Sequence, residues 1–420
     1  MRKSLFVLAI ATTLGACFGE GPAIGQPSAA QVVFFVTRPS SDNPCGNNTF
    51  IGSVGIGGAP QGYVVTIPYQ PQSCGGGMAN GPIEVFSFGK TTSSVDNLGS
   101  PGATSGTNFQ VHAAANATTG FWGFASPGTS ALTVQTVGGT VGTVLASNTG
   151  QLSVAGLAAD PSSIYIATAQ SNGGGGDGPN SPRFPCCGSL ASPSTGGGIY
   201  QLSATAMNAI ATPVVASANL FTDSMPEPFV GTGSALFYLE TGGGTAATLT
   251  QIDVDTAGTA TATTHTPITL QGKPFGIAAD AGHVAWSTTL DFSSFGNGAS
   301  GAQDQCTIYA RPIGSQAQPS PLLSTTKFSC LGVAVDADAV YFAIAHVETV
   351  KSEVMIHGDG IGRIPFATPS QFESIALGIQ GVGTGPRRIF LDGDDIYAID
   401  PFEIGKLAKQ ALRGKADFTP

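Results

Sequence analysis

An all-β fold, a ring of repeated four-stranded units, is what this sequence predicts, and three observations predict it. Among 420 residues there are 59 glycines and only 10% charged residues; this is poor material for solvent-facing helices and good material for short strands and tight turns. A hairpin signature, small-apolar-small-apolar-Asp followed by an apolar-aromatic pair, returns at intervals of roughly fifty to seventy residues, the spacing of a repeated supersecondary unit. Each return is followed by a third and usually a fourth short apolar run, and four antiparallel strands per unit make the blade of a β-propeller. Hydrophobic residues reach 41%, with 24 Phe, so a core can form and global disorder is excluded.

The chain opens with MRKSLFVLAIATTLGAC. Two cations precede an apolar run too short to span a bilayer as a helix but of the size of a secretory h-region, so the protein is expected to be exported. Directly after it, Leu14-Gly15-Ala16-Cys17 resembles the lipobox of bacterial lipoproteins. That resemblance implies a signal peptide over 1–16, cleavage before Cys17, diacylation of its sulfur and an outer-membrane-associated protein facing the periplasm or the exterior. Residues 17–30, rich in Gly, Pro and Ala, read as a flexible tether, and 31–420 as the propeller.

The formal charge is −10, and between Arg38 and Lys273 the only cations are Lys90 and Arg183. With no basic stripe over that span, nucleic acid is not an expected partner. The tail gathers Lys406, Lys409, Arg413 and Lys415, which reads as a solvated terminal strand.

Six cysteines remain beyond Cys17: Cys45, Cys74, Cys186, Cys187, Cys306 and Cys330. An even number in an exported chain reads as disulfides. Proximity favours Cys45 with Cys74 and Cys306 with Cys330, leaving Cys186 and Cys187 as a vicinal pair whose bridge would strain the intervening peptide. Zinc is disfavoured because neither a CxxC nor a neighbouring His accompanies them, and no cofactor is expected.

The hairpins follow in order. Gly156-Leu157-Ala158-Ala159-Asp160 leads to Ile164-Tyr165-Ile166, Gly276-Ile277-Ala278-Ala279-Asp280 to Val284-Ala285-Trp286, and Arg388-Ile389-Phe390-Leu391-Asp392 to Ile396-Tyr397-Ala398; Gly332 to Phe342 is the clearest copy. Phe229 to Tyr238 fits with Thr232 in place of Asp, and Val111 to Phe124 is looser. The motif resembles the blades of NHL-type and related six- or seven-bladed propellers, which implies a fold and no particular substrate. Small residues suit the crowded inner strand, aromatics fill the widening gap farther out, and the Asp is expected to tie its turn by accepting backbone hydrogen bonds. Asp392, Asp394 and Asp395 could also suggest calcium, but DGDD between two strands reads better as a turn. Six hairpins are direct. The N-terminal run Gln31 to Val36, with Ile83 to Ser87 behind it, makes the expected count seven; the alternative is six blades closed by Val32–Val36 with an irregular N-terminal insertion.

Long connections, 37–80, 170–195, 288–305 and 346–359, fall between second and third strands, while the inner turns stay short. One loop-rich face is therefore the expected binding face, with Glu227, Glu240, Asp291, His346 and Arg387 as candidate contacts. GxSxG, HExxH and Walker A motifs are absent, so no catalytic residues are assigned. His346 and His357, sharing a segment with Glu348, Glu353 and Asp359, would make an acid/base or metal group only if they faced the axis. The sequence thus reads as a non-enzymatic binding module for a protein or polysaccharide of the cell envelope; the alternative is a lyase or hydrolase with its site at the axial mouth.

Overall fold

Seven short inner strands of small and apolar residues set the architecture. The computed structural model describes residues 30–36, 48–69, 82–92, 94–100, 111–125, 131–137, 139–145, 151–171, 197–218, 229–241, 247–254, 260–271, 273–289, 304–315, 317–350, 353–377, 388–400 and 402–420. They form seven antiparallel sheets, each with its first strand at one edge, and the first strands of successive sheets are neighbours around an axis. The protein is a seven-bladed β-propeller.

Blade 1 is Asn48–Gly55, Gln61–Tyr69, Glu84–Gly89 and Val95–Gly99. Blade 2 is His112–Ala115, Gly120–Ala125, Ala131–Thr136 and Gly139–Leu145, with Ala209–Ile210 added in parallel at its outer edge. Blade 3 is Gln151–Ala159, Ser163–Ser171, Gly197–Ser203 and Thr212–Ala218. Blade 4 is Phe229–Gly231, Ala235–Thr241, Ala247–Val254 and Ala260–Thr264, and Ile268–Thr269 also pairs with its third strand. Blade 5 is Lys273–Ala279, His283–Thr289, Cys306–Pro312 and Leu323–Thr325. Blade 6 is Ser329–Val335, Ala339–Val350, Glu353–Pro365 and Glu373–Ala376. Blade 7 takes Arg388–Asp392, Asp395–Ile399 and Glu403–Ala408 from the C-terminal end and Gln31–Phe35 from the N-terminal end.

The count of seven holds, but its parts differ from expectation. The N-terminal strand is the outer strand of the last blade, and blade 1 is complete without it. Its inner hairpin lies within the stretch 37–80 that reads as an insertion. It lacks the Asp signature, turning instead through Gly55-Ile56-Gly57-Gly58-Ala59, so the repeat does not mark it.

In blades 3, 5 and 6 the expected turn chemistry is present, whereas Asp392 of blade 7 pairs with Lys90 instead. Asp160 Oδ1 accepts from the amides of Ser162 and Ser163, both at 2.7 Å; Asp280 Oδ1 from Gly282 and His283; Asp336 Oδ1 from Asp338 and Ala339. Asn116 and Thr232 do the same in blades 2 and 4. The second-strand aromatics Tyr165, Tyr238, Trp286, Tyr341 and Tyr397 are all buried. They pack between blades, as where Tyr165 and Tyr238 join Phe229, Leu236 and Ile199. Small residues let inner strands approach: a Cβ on Gly55 would lie 2.5 Å from the carbonyl carbon of Ala114.

The seam between the two chain ends is tied more than once. Val33 and Phe34 pack with Ile51, Val64, Phe88, Tyr397 and Ile404. Lys90, buried in blade 1, donates to the Gly57 carbonyl of its own blade and reaches Asp392 of blade 7 at 2.5 Å. The tail is only partly solvated. Lys406 pairs with Asp395 and donates to the Lys90 carbonyl; Lys409 pairs with Asp336 of blade 6 at 2.6 Å; Arg413 and Lys415 are exposed. Beyond them, Asp417 and Phe418 bond along the outer strand of blade 6.

Candidate functional site

Strand direction fixes two faces. Each inner strand ends in a short turn on one face, so the second-to-third connections and the links to the next blade emerge on the other. Segments 70–81, 172–196, 219–228, 290–303 and 378–387 all leave from this second, loop-rich face. Cys17, Cys45, Cys74, Cys186, Cys187, Glu227, Asp291 and Arg387 lie outside the described residues. Glu240 and His346 are described, at the loop-rich ends of the second strands of blades 4 and 6; Glu240 is half-buried and accepts from Thr250 Oγ1 at 3.3 Å.

On the axis, strands of all seven blades line a cavity of about 270 Å³. Its side chains are small or apolar, among them Ala114, Ala158, Val230, Ile277 and Phe390, and Arg388 is the one charged residue in the described lining. Since every inner strand is a sheet edge, backbone N–H and C=O groups not used in pairing also turn toward this space, where they need water or another polar partner. His346 is not part of this lining.

Instead His346 joins a polar chain across the seam of blades 5 and 6. Its Nδ1 is 2.9 Å from Asp304 Oδ2, and its Nε2 is 3.6 Å from Asp359 Oδ2. The buried hydroxyl of Ser329 donates to the other oxygen of Asp304 at 2.9 Å, and Phe418 flanks the imidazole. The segment 346–359, expected as a loop, is a continuous hairpin of Ala339–Val350 with Glu353–Pro365, because Val347, Thr349, Val354 and Ile356 carry strand-forming residues to its tip. Ala345 pairs with Gly358 and Ile344 with Gly360, so Asp359 is the extra residue of a bulge, a device that re-aims a side chain. The hydrogen bond with Asp304 raises the His346 pKa above its ordinary 6.5; burial opposes this and Asp359 adds to it. Among the described residues no group of three His, Cys, Asp or Glu is arranged to hold a metal.

The Cys306–Cys330 disulfide, expected from proximity, is present and joins blade 5 to blade 6 beside this chain. It also explains how Asp304 meets Ser329, a contact the sequence reading missed: each sits one or two residues from a bridged cysteine. Asp392 and Asp395 face Lys90 and Lys406, in keeping with the turn reading of DGDD; Gly393 supplies its positive φ of 56°.

The solved structures to which the chain is similar match it only at low sequence identity. Two prolyl endopeptidases, described for the role of inter-domain dynamics in catalysis and specificity, include a chain that is 8% identical, with a TM-score of 0.48 over 87% of this chain and 48% of theirs. This protein therefore spans about half the length of that match. The subtype N10 neuraminidase-like protein of a little yellow-shouldered bat isolate from Guatemala is 11% identical, with a TM-score of 0.42 over 78% of this chain and 98% of its own. The subtype N11 neuraminidase-like protein of a flat-faced bat isolate from Peru is 13% identical, with a TM-score of 0.39 over 82% and 91%. No protein-family model and no curated protein matches the chain.

Proposed function

We propose that this is an exported, lipid-anchored propeller of the bacterial outer membrane that binds a protein or polysaccharide of the cell envelope through its loop-rich face. The observation that carries the reading is the asymmetry of the two faces. One carries the inner turns, whose Asp, Asn and Thr side chains are spent on their own backbone; the other receives the longest connections, through 70–81, 172–196 and 290–303. In repeat folds insertions of this kind gather on the binding face. The alternative, a lyase or hydrolase at the axial mouth, draws little support from a lining whose described charge is Arg388 alone.

Partner capture tests the binding reading. Cross-linking in cells should recover a partner with the wild-type chain and lose it when Glu227, Glu240, Asp291, His346 and Arg387 are replaced together by Ala. Unchanged recovery would show that the face is wrongly assigned. Anchoring is tested separately: Cys17→Ser should release the protein from the membrane fraction and abolish incorporation of labelled fatty acid.

A further inference from the structure

The direction of the N-terminal strand says which way an anchored propeller would face. Gln31 pairs with Lys406 and Phe35 with Glu403. Glu403–Ala408 runs from the loop-rich face toward the short-turn face, so its antiparallel partner Gln31–Phe35 starts at the short-turn face. A chain arriving from Cys17 therefore enters the fold on the side opposite the long connections. A flexible tether of the length from Phe18 to Ala30, as the Gly, Pro and Ala content of that stretch reads, would have a relaxed reach of about 20 Å, from roughly 5–6 Å times the square root of its number of residues. Strands of seven to nine residues make the propeller about 23–30 Å tall at ~3.3 Å per residue. To lay the loop-rich face on the bilayer, the tether would have to stretch over that height.

The same short-turn face carries an apolar cluster that nothing in the structure covers. Val137, in the outer turn of blade 2, is 59% exposed; Met207 and Ile210, in the outer connection of blade 3, are 51% and 66% exposed. They are held together: Asn208 donates to the Thr140 carbonyl, Ile210 pairs with Thr143, and the Met207 methyl lies 3.6 Å from where a Cβ on Gly139 would be. Arg413 and Lys415, on the tail that follows the short helical turn Lys409–Leu412 and runs beside Glu373 and Ser374 of blade 6, are exposed. Among the carboxylates of this face Asp160 is buried, Asp336, Asp392, Asp395 and Glu373 are paired with Lys409, Lys90, Lys406 and Arg363, Asp280 ties its own turn, and Asp96, Asp338 and Asp394 are exposed.

We infer that the short-turn face docks on the lipid bilayer, with Val137, Met207 and Ile210 entering the headgroup region and the loop-rich face held away from the membrane. This rests on the lipid-anchor reading, and the two can fail separately. Exposed apolar side chains at an interface bury by about 5–10 Å, within reach of a quencher carried on lipid tails.

The test uses the full-length lipidated protein in vesicles containing brominated phosphatidylcholine, with one of two tryptophans added: Val137→Trp on the short-turn face or Lys327→Trp, an exposed position on the loop-rich face. The native Trp122 and Trp286 are buried and supply the background. With lipid present on Cys17 by mass spectrometry, Val137→Trp should be quenched at least about twofold more than Lys327→Trp, as the burial depth requires. Equal quenching, or stronger quenching at Lys327→Trp, overturns the orientation and leaves the anchor standing. Absence of lipid on Cys17 overturns the anchor and the orientation with it. Unchanged circular dichroism of both variants ensures that the comparison is made on folded protein.

Discussion

At the scale of single residues, the aspartates that mark the repeat are turn ties, and substitution separates that role from charge. Asp160 Oδ1 holds two amides and a hydroxyl, while Oδ2 is buried without a hydrogen-bond partner. Asp160→Ala should therefore cost about 1–3 kcal/mol by leaving buried donors unmade. Asp160→Asn keeps the acceptor and should cost less than about 1 kcal/mol, since Asn116 already does this work in blade 2 and a buried charge is removed. Urea denaturation of the two variants checks the difference. Asp336 adds a pH dependence: burial alone would raise its pKa, but Lys409 and the amides of Asp338 and Ala339 lower it below 3.8. A depressed carboxylate contributes stability above its unfolded value and loses it as pH falls through the folded one. Asp336→Asn should thus flatten the acid limb of the melting curve.

His346 works in the opposite sense. With its folded pKa raised above 6.5, its contribution is complete below 6.5 and is lost as pH rises through the higher folded value. Melting temperatures of wild type and His346→Gln should converge as pH is raised from 6 to 9; a gap independent of pH would mean that the ion pairs with Asp304 and Asp359 contribute nothing. The sequence could single out His346 and Asp359 because they share a segment. It could not supply Asp304, which meets His346 across the seam between blades, or Ser329, which holds Asp304 there.

At the scale of elements, what repeats locally was legible and what pairs at a distance was not. The inner hairpins could be read because Gly-Leu-Ala-Ala-Asp and Gly-Val-Ala-Val-Asp encode strand, turn and packing within a few residues. Blade 1 was hidden because its Gly-rich turn satisfies the same geometry without an Asp. Segment 346–359 misled because His, Glu, Lys and Asp near a hairpin tip look like loop material, whereas alternate β-branched residues keep the strands paired. The disulfide is the element-scale constraint that proximity did reveal. Its sequence separation of 24 gives about 3–4 kcal/mol of stabilisation by restricting the unfolded chain. The double variant Cys306→Ala/Cys330→Ala should lose an amount of that order in chemical denaturation.

At the scale of the whole molecule, stability is the closure of a ring. Phe34 is buried between blades 7 and 1, its ring centroid 5.7 Å from Phe86 and 6.2 Å from Phe88; Phe34→Ala should cost about 3–5 kcal/mol, the range for aromatic truncation in a core. Lys90→Ala would strand Asp392 in the same seam, and breaking a buried pair from one side costs about 3–5 kcal/mol; since Asp392 is partly exposed, the lower end is expected. Calorimetry of each variant measures both. The strand that receives Phe34 has a further consequence in time. Gln31 to Phe35 is made before blade 1, yet its partners, Glu403 to Lys406, are made after blade 6. An emerging chain can complete blades 1 to 6 in order, but the strand that precedes them must wait, unpaired, until Glu403–Ala408 follows. Ring closure is then a late meeting of segments far apart in the sequence, and a truncation that removes Glu403–Ala408 would leave Gln31–Phe35 without its place.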